Sequence, residues 1–151
     1  MREKFATDLY ELMKSDKNIV FITADLGFGL FDKIKKELPD QFYNVGAAEQ
    51  AAMDVAVGFA LSGKIPIVYS ITPFLLFRAF ETIRTYIDHE NIPVIMVGSG
   101  RDDDYKTEGF SHYAGDDWRA AYFYNVETLR EYSDLKKVIY ANKPVYLNLK
   151  R

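Results

Sequence analysis

Glu49, Phe74, Arg78 and His112 are the side chains of this chain whose types and places could build a reaction site. Glu49 stands in Val45-Gly46-Ala47-Ala48-Glu49-Gln50, where a strand end meets a glycine turn and then the first turn of a helix. That helix continues through Ala51, Ala52, Met53, Val55, Ala56, Val57, Phe59, Ala60 and Leu61, with Asp54 its further charge. Apolar surroundings disfavour the ionised form of a carboxyl, and a protonated carboxyl can donate to a ligand nitrogen. A plain structural role is equally open: an acid in the first helical turn favours the positive end of the dipole. Phe74 follows an apolar strand, and Arg78 lies one helical turn further on. His112 sits in Glu108-Gly109-Phe110-Ser111-His112-Tyr113. A carboxyl, an aromatic face, a cation and an imidazole at one end of a sheet could hold a heteroaromatic ligand beside a polar substrate. Read blandly, Phe74 is a core ring, Arg78 a surface cation and His112 a brace for its loop.

Other chemistries fit less well. Gly27-Phe28-Gly29-Leu30-Phe31-Asp32 follows a strand, but Asp32 takes the third glycine position of a dinucleotide fingerprint and would repel a pyrophosphate. There is no glycine loop ending in Lys-Ser or Lys-Thr. Cysteine is absent and the histidines are His89 and His112, which leaves no ligand set for a metal on this chain. Asp102-Asp103-Asp104 and Asp116-Asp117 lack calcium-loop spacing and read as solvated loop. Ser111-His112 has no third orienting group in view and no Gly-x-Ser-x-Gly turn. With net charge -3 and thinly spread Lys and Arg, nothing suggests nucleic acid. No apolar run approaches the roughly 20 residues of a membrane span, and Met1 to Ser15 has no signal-peptide core. The expectation is a cytoplasmic protein.

The elements that must position these residues follow from periodicity. Phe5, Leu9, Leu12 and Met13 predict a helix over 3–14. Ile19 to Thr23 reads as a strand buried on both faces. A helix over Phe31–Leu38, a strand over Gln41–Val45, the apolar helix Ala48–Ser62 and a strand over Ile65–Ile71 come next. A long helix Phe74–Glu90 and a strand Pro93–Val97 precede a long polar segment, Gly98–Asp117. A helix near Asp117–Tyr122, a strand near Val126–Leu129, a helix near Asp134–Ala141 and a strand Val145–Leu149 complete the pattern. Alternation of this kind predicts one α/β domain over 1–151, a three-layer, doubly wound, mostly parallel sheet. Ligands of such sheets lie outside the carboxyl ends of the strands. The 11 Phe and 11 Tyr exceed what one core of this size needs, so some should cover a partner surface.

Residues Asn44 to Asp117 resemble the pyrimidine-binding domain of the transketolase family of thiamin diphosphate enzymes. The resemblance is carried by Gly46-Ala47-Ala48-Glu49-Gln50, by Gly63-Lys64-Ile65-Pro66, and by Phe74 followed by Arg78-Ala79-Phe80-Glu81-Thr82-Ile83-Arg84. Glu108-Gly109-Phe110-Ser111-His112-Tyr113 stands for the family's Asp-Gly-x-Thr-His-Gln, and Asp116-Asp117 for its Glu-Asp. Ala24-Asp25-Leu26 and Lys143-Pro144-Val145-Tyr146-Leu147 extend the match toward both ends. The resemblance implies that Glu49 hydrogen-bonds N1′ of the cofactor's aminopyrimidine, favouring the imino form that removes the C2 proton. It implies that Phe74 stacks on the pyrimidine, that Arg78 belongs to the cofactor site, and that His112 faces the substrate. It further implies a split enzyme. A separate subunit would carry the diphosphate-binding domain and hold thiamin diphosphate through Mg2+, most simply in a heterotetramer. The substrate class would be a ketose or a 2-oxo acid, with C2-unit transfer as the reaction. Two other readings stay open: a non-catalytic assembly subunit, and a component of a 2-oxo acid decarboxylase. The chain departs from the family at Gly100-Arg101-Asp102-Asp103-Asp104, where a His is common. Inward-facing acids there would repel phosphate, so standard sugar phosphates are not the expected substrates.

Overall fold

The computed structural model describes residues 1–120 and 122–151 in full, and the backbone of Ala121. Six strands form one sheet in the order β2-β1-β3-β4-β6-β5, and every neighbouring pair is parallel. They are β1 (Ile19–Thr23), β2 (Phe42–Asn44), β3 (Ile65–Ile71), β4 (Ile95–Ser99), β5 (Glu127–Leu129) and β6 (Val145–Leu149). The helices α1 (Arg2–Ser15), α2 (Asp32–Glu37) and α6 (Leu135–Ile139) cover one face of the sheet. Helix α3 (Glu49–Leu61), the helical stretch after β3 and α5 (Asp117–Phe123) cover the other. From β1 the chain steps outward to β2, then returns across β1 to β3. That reversal, with crossovers of one hand, is what sends α2 and α3 to opposite faces. The crevice between the β1 and β3 ends is the topological switch point where doubly wound sheets bind ligands.

Strand alternation divides the core. Phe21, Ile67, Tyr69, Val97 and Leu147 pack toward α1, while Ile22, Val68, Met96 and Tyr146 pack toward α3. Phe5, Leu9, Tyr10 and Met13 of α1 recur at helical spacing and are all buried. On that side Phe31 sits 4.5 Å from Phe21 and 4.8 Å from Tyr69, centroid to centroid. Gly27 makes room for this cluster: at φ +88° a Cβ would stand 2.4 Å from the Phe31 ring. The glycine of Gly27-Phe28-Gly29 therefore admits a side chain of its own chain, not a phosphate.

The expected elements are found, most with ends that shift by one or two residues. The second strand is Phe42–Asn44 and not Gln41–Val45, because Gln41 turns inward and donates to three carbonyls, those of Met13, Asp16 and Ile19. The fourth strand starts two residues later and runs two further, to Ser99. The sheet is wholly parallel, beyond the mostly parallel sheet expected. The larger difference lies in the expected helix Phe74–Glu90. It divides into a π-turn, Phe74–Arg78, a short α-helical piece α4 (Phe80–Thr82) and a second π-run, Ile83–His89. Periodicity read from apolar positions does not reveal such turns, since a π-bulge shifts the register by one residue without changing residue type. Among the described residues no helix is long and apolar enough to cross a membrane.

Gly98 in β4 faces the α3 side, and its missing side chain leaves space for its neighbours. An added Cβ would stand 2.5 Å from Thr72 Oγ1 and 3.0 Å from Tyr146 OH. Both neighbours are fully buried, so neither can swing away. Gly98→Ala is expected to destabilise the fold by about 1–3 kcal/mol, the usual range for overpacking a core. A lowered urea midpoint at unchanged slope is the measurement.

Candidate functional site

The turn that delivers Glu49 is built by Asn44 and Gly46. Asn44 Oδ1 accepts from the backbone N–H of Asp25 and of Gly46, both at 3.0 Å, tying the β1 and β2 ends together. Gly46 adopts φ +74°, a conformation that favours glycine. The Ala48 N–H closes on the Gly46 carbonyl at 2.7 Å, and α3 begins at Glu49. The apolar face of α3, with Ala52, Met53, Ala56 and Val57, is pressed against the sheet, which draws Glu49 in with it. Glu49 is 3% exposed.

Its carboxylate is fully engaged. Ser70 Oγ, from β3, donates to Oε1 at 3.0 Å, and Arg78 Nη1 donates to Oε2 at 2.8 Å. The sequence placed Glu49 among apolar neighbours; the structure adds a guanidinium and a hydroxyl, because the stretch after β3 lies beside α3. Arg78 is about half exposed, so the pair runs from a buried acid to a cation at the rim. The guanidinium carbon of Arg78 lies 3.7 Å from the centre of the Phe74 ring. Four residues apart, Phe74 and Arg78 stand one turn from each other on the same side of this helical stretch. Phe74 also meets the His112 ring, at 4.8 Å and 68°. Glu49, Arg78, Phe74 and His112 thus form one unbroken line of contacts along the carboxyl end of the sheet.

His112 rides on the segment after β4. That segment is ordered by two 3-10 turns, Lys106–Glu108 and Phe110–His112, and by a bridge between Asp102 and Ala114. Ser111 Oγ lies 3.1 Å from His112 Nδ1. In the acidic run, Asp102 pairs with Arg130 at 3.1 Å in solvent, and Asp104 Oδ2 accepts from the backbone N–H of Arg101 and Arg151.

Beneath the segment lies a buried polar network that sequence reasoning missed. Thr72 Oγ1 donates to the Gly100 carbonyl at 2.7 Å. Asn148 Nδ2 donates to Asp117 Oδ2 and to Tyr146 OH, each at 2.7 Å, and Tyr146 OH donates to Asp117 Oδ2 at 3.2 Å. Thr72, Tyr146, Asn148 and Asp117 are all buried. The network pins both ends of the His112 segment to the sheet. Burial pushes the Asp117 carboxyl up, against the hydrogen bond from Tyr146 that lowers it. Burial likewise pushes the Tyr146 hydroxyl up. Ser70 was missed too. The available signal was parity: Val68 and Ser70 share the α3 face of β3, as Tyr146 and Asn148 share one face of β6.

Around the line of site residues the surface is aromatic. Phe110, Trp118, Tyr122 and Phe123 are exposed, Tyr122 to 90%, with Phe77 of the π-turn beside them in sequence to Arg78. Tyr124 OH, donating to the Leu76 carbonyl at 3.1 Å, ties α5 to that turn.

A family model described as the transketolase pyrimidine binding domain matches residues 1–120. A putative transketolase C-terminal section from Methanocaldococcus jannaschii is 30% identical over 158 residues, covering 95% of this chain and 50% of that protein. A 1-deoxy-D-xylulose-5-phosphate synthase from a Synechococcus strain is 42% identical over 94 residues, covering 61% of this chain and 14% of that one. A solved structure of a split-gene transketolase, an inactive beta4 tetramer, superposes with a TM-score of 0.84 at 30% identity, covering 99% of this chain and 51% of that chain. The chain spans about half or less of the length of these relatives.

Asp117 carries a pH signature. Its carboxyl binds a proton more readily in the folded chain than at its ordinary 3.8, so the folded state holds more protons just above that value. Stability from this group is therefore present at low pH and lost as pH rises from 3.8 through the raised value. Asp117→Asn keeps an acceptor for Asn148 and Tyr146 and removes the charge. Urea midpoints measured from pH 3.5 to pH 7, roughly spanning that window, should show a flatter profile for the variant and no loss at neutrality.

Proposed function

The chain belongs to the transketolase pyrimidine-binding domain family, and on that premise we propose that residues 1–151 form the pyrimidine-binding domain of a split, thiamin diphosphate-dependent transketolase-like enzyme. Its partner is a subunit carrying the diphosphate-binding domain, which holds the diphosphate and Mg2+; the assembly is a heterotetramer in the cytoplasm. The similarity to a split-gene transketolase over 99% of this chain supports the division between subunits. The exposed aromatic surface beside the site supports an interface there.

The single observation that carries the reading is a planar cation already seated between a buried carboxylate and an aromatic face. Glu49, 3% exposed, receives an N–H from a flat guanidinium that lies 3.7 Å over Phe74. A protonated aminopyrimidine offers the same two features, a flat delocalised face and an in-plane N–H. The residues therefore fit the cofactor's pyrimidine half. When bound, thiamin diphosphate supplies a ring carbon that attacks a carbonyl and takes up the electrons of C–C cleavage. Glu49 holds a proton at the ring nitrogen it faces, kept from water by its burial. Ser70 fixes the other carboxylate oxygen and so orients the one that acts. Phe74 excludes water from one face of the ring. Arg78 lines the same seat. His112, held against Phe74, stands toward the substrate and polarises its carbonyl or moves a proton at that oxygen.

Ketol transfer is the reaction favoured, from a ketose donor. The likeness to a 1-deoxy-D-xylulose-5-phosphate synthase over 94 residues supports a second reading, in which a 2-oxo acid is the donor. Product analysis with each donor separates the two.

In the assembled enzyme Glu49→Gln should slow exchange of the cofactor C2 proton into deuterated water by about 10²–10⁴, the ordinary contribution of a positioned acid-base group. Complex formation should be unaffected. Near-normal exchange would reject the role of Glu49, and complex formation with no exchange in the parent enzyme would favour a non-catalytic assembly subunit. His112→Asn should leave C2 exchange intact and reduce transfer by about 10²-fold. Single-turnover product formation checks it.

A further inference from the structure

We infer that the Arg78 guanidinium is a built-in occupant of the aminopyrimidine seat, and that ligand entry requires it to swing out. This rests on the reading of the site given above. The geometry has four parts. The guanidinium is hydrogen-bonded to Glu49 Oε2 at 2.8 Å, the in-plane contact that a ring N–H needs. Its flat face covers Phe74 at 3.7 Å, the contact that a stacked ring needs. His112 stands against the same ring at 4.8 Å and 68°. Glu49's other oxygen accepts from Ser70, a buried strand residue, which holds Oε2 on the Arg78 side.

One flat cation at a time can lie between Glu49 and Phe74. The arrangement leaves Arg78 free to be that one or to leave. Its side chain is 48% exposed, the highest exposure in the group that it joins to Glu49, and its stem can rotate toward solvent without moving the backbone. Glu49 has a charged or in-plane donor in both end states: the arginine serves it in the free chain, the ligand in the bound one. That exchange costs apparent affinity, because only the fraction of molecules with Arg78 out is competent. It also selects. A ligand must be flat, and must bring a hydrogen-bond donor in its plane, to replace what the arginine gives. A neutral ring without that donor would leave the carboxylate stranded.

The test uses the full chain, with thiamin and guanidinium ion as probes and the two histidine ring signals as the NMR readout. His112 touches Phe74 and reports the seat; His89, 80% exposed next to Glu90, serves as the control. In Arg78→Met, guanidinium ion well below denaturing concentration should shift the His112 signal saturably, leave that of His89 in place, and be displaced by thiamin. Thiamin should bind Arg78→Met about tenfold tighter than the parent, if about one molecule in ten has the seat open. Adding Glu49→Gln should remove both responses. Absence of a saturable guanidinium shift in Arg78→Met overturns the inference. So does equal thiamin affinity in variant and parent; if that affinity is still lost with Glu49→Gln, the cofactor reading survives. Guanidinium seating that thiamin never displaces overturns both. Should an unpaired Glu49 unfold Arg78→Met, Arg78→Lys keeps the charge and removes the plane. The same tightening is then expected at smaller size, and unchanged affinity overturns the inference.

Discussion

A carboxylate withdrawn from water must find partners inside the protein, and that constraint organises this structure around Glu49. Burial of an acid without compensation is among the more costly arrangements available to a chain. Two elements meet the cost. Strand β3 brings Ser70, and the π-turn after it brings Arg78. Both come from the segment that immediately follows the α3 crossover, so the acid and its partners are neighbours through topology. The pairing then fixes Phe74, whose ring carries the guanidinium, and Phe74 in turn fixes His112. Remove the need to satisfy one buried oxygen and the reason for the other three placements goes with it.

A second polar cluster repeats the principle one strand away. Asp117, Asn148 and Tyr146 satisfy one another in the interior, and Thr72 takes the carbonyl of Gly100. The two clusters differ in what they hold. The first ends at the surface through a half-exposed arginine and can change partners. The second is closed and serves to seat a long segment whose tip carries an imidazole. Rigidity under the loop and exchangeability at the rim are thus supplied by separate groups of side chains, with Gly98 leaving the room in which the closed cluster fits.

Much of this was legible in residue types. Ile19 to Thr23 reads as a strand buried on both faces, and it is; Val145 to Leu149 reads as the closing strand, and it too is buried throughout. Glu49 at the head of an apolar helix, Phe74 after β3 and a histidine in the long polar segment were each readable one at a time. Their contacts were not. That Arg78 reaches Glu49 depends on α3 lying beside the next helical stretch, which periodicity along either one cannot reveal. Ser70 was hidden near the end of a largely apolar run, between Tyr69 and Ile71. Asp117 was recognised by position and not as a buried acid, because its partners Tyr146 and Asn148 come from the far end of the chain. The acidic run Asp102–Asp104 drew attention for its charge, yet Asp102 pairs with Arg130 and Asp104 accepts from the backbone N–H groups of Arg101 and Arg151.

The π-turn at Phe74–Arg78 separates two demands that an unbroken α-helix would bind together. Downstream, Ile83 and Ile87 must meet the sheet, and their angular positions are set by the core. Upstream, an aromatic ring and a cation must overlap face to face. In an uninterrupted helix a single angular increment per residue governs both, so any change that improved the overlap would rotate the apolar stripe off its bed. The additional residue in the turn works as a slip joint. It lets the spacing between ring and cation drift under selection while the hydrophobic seam below stays in phase.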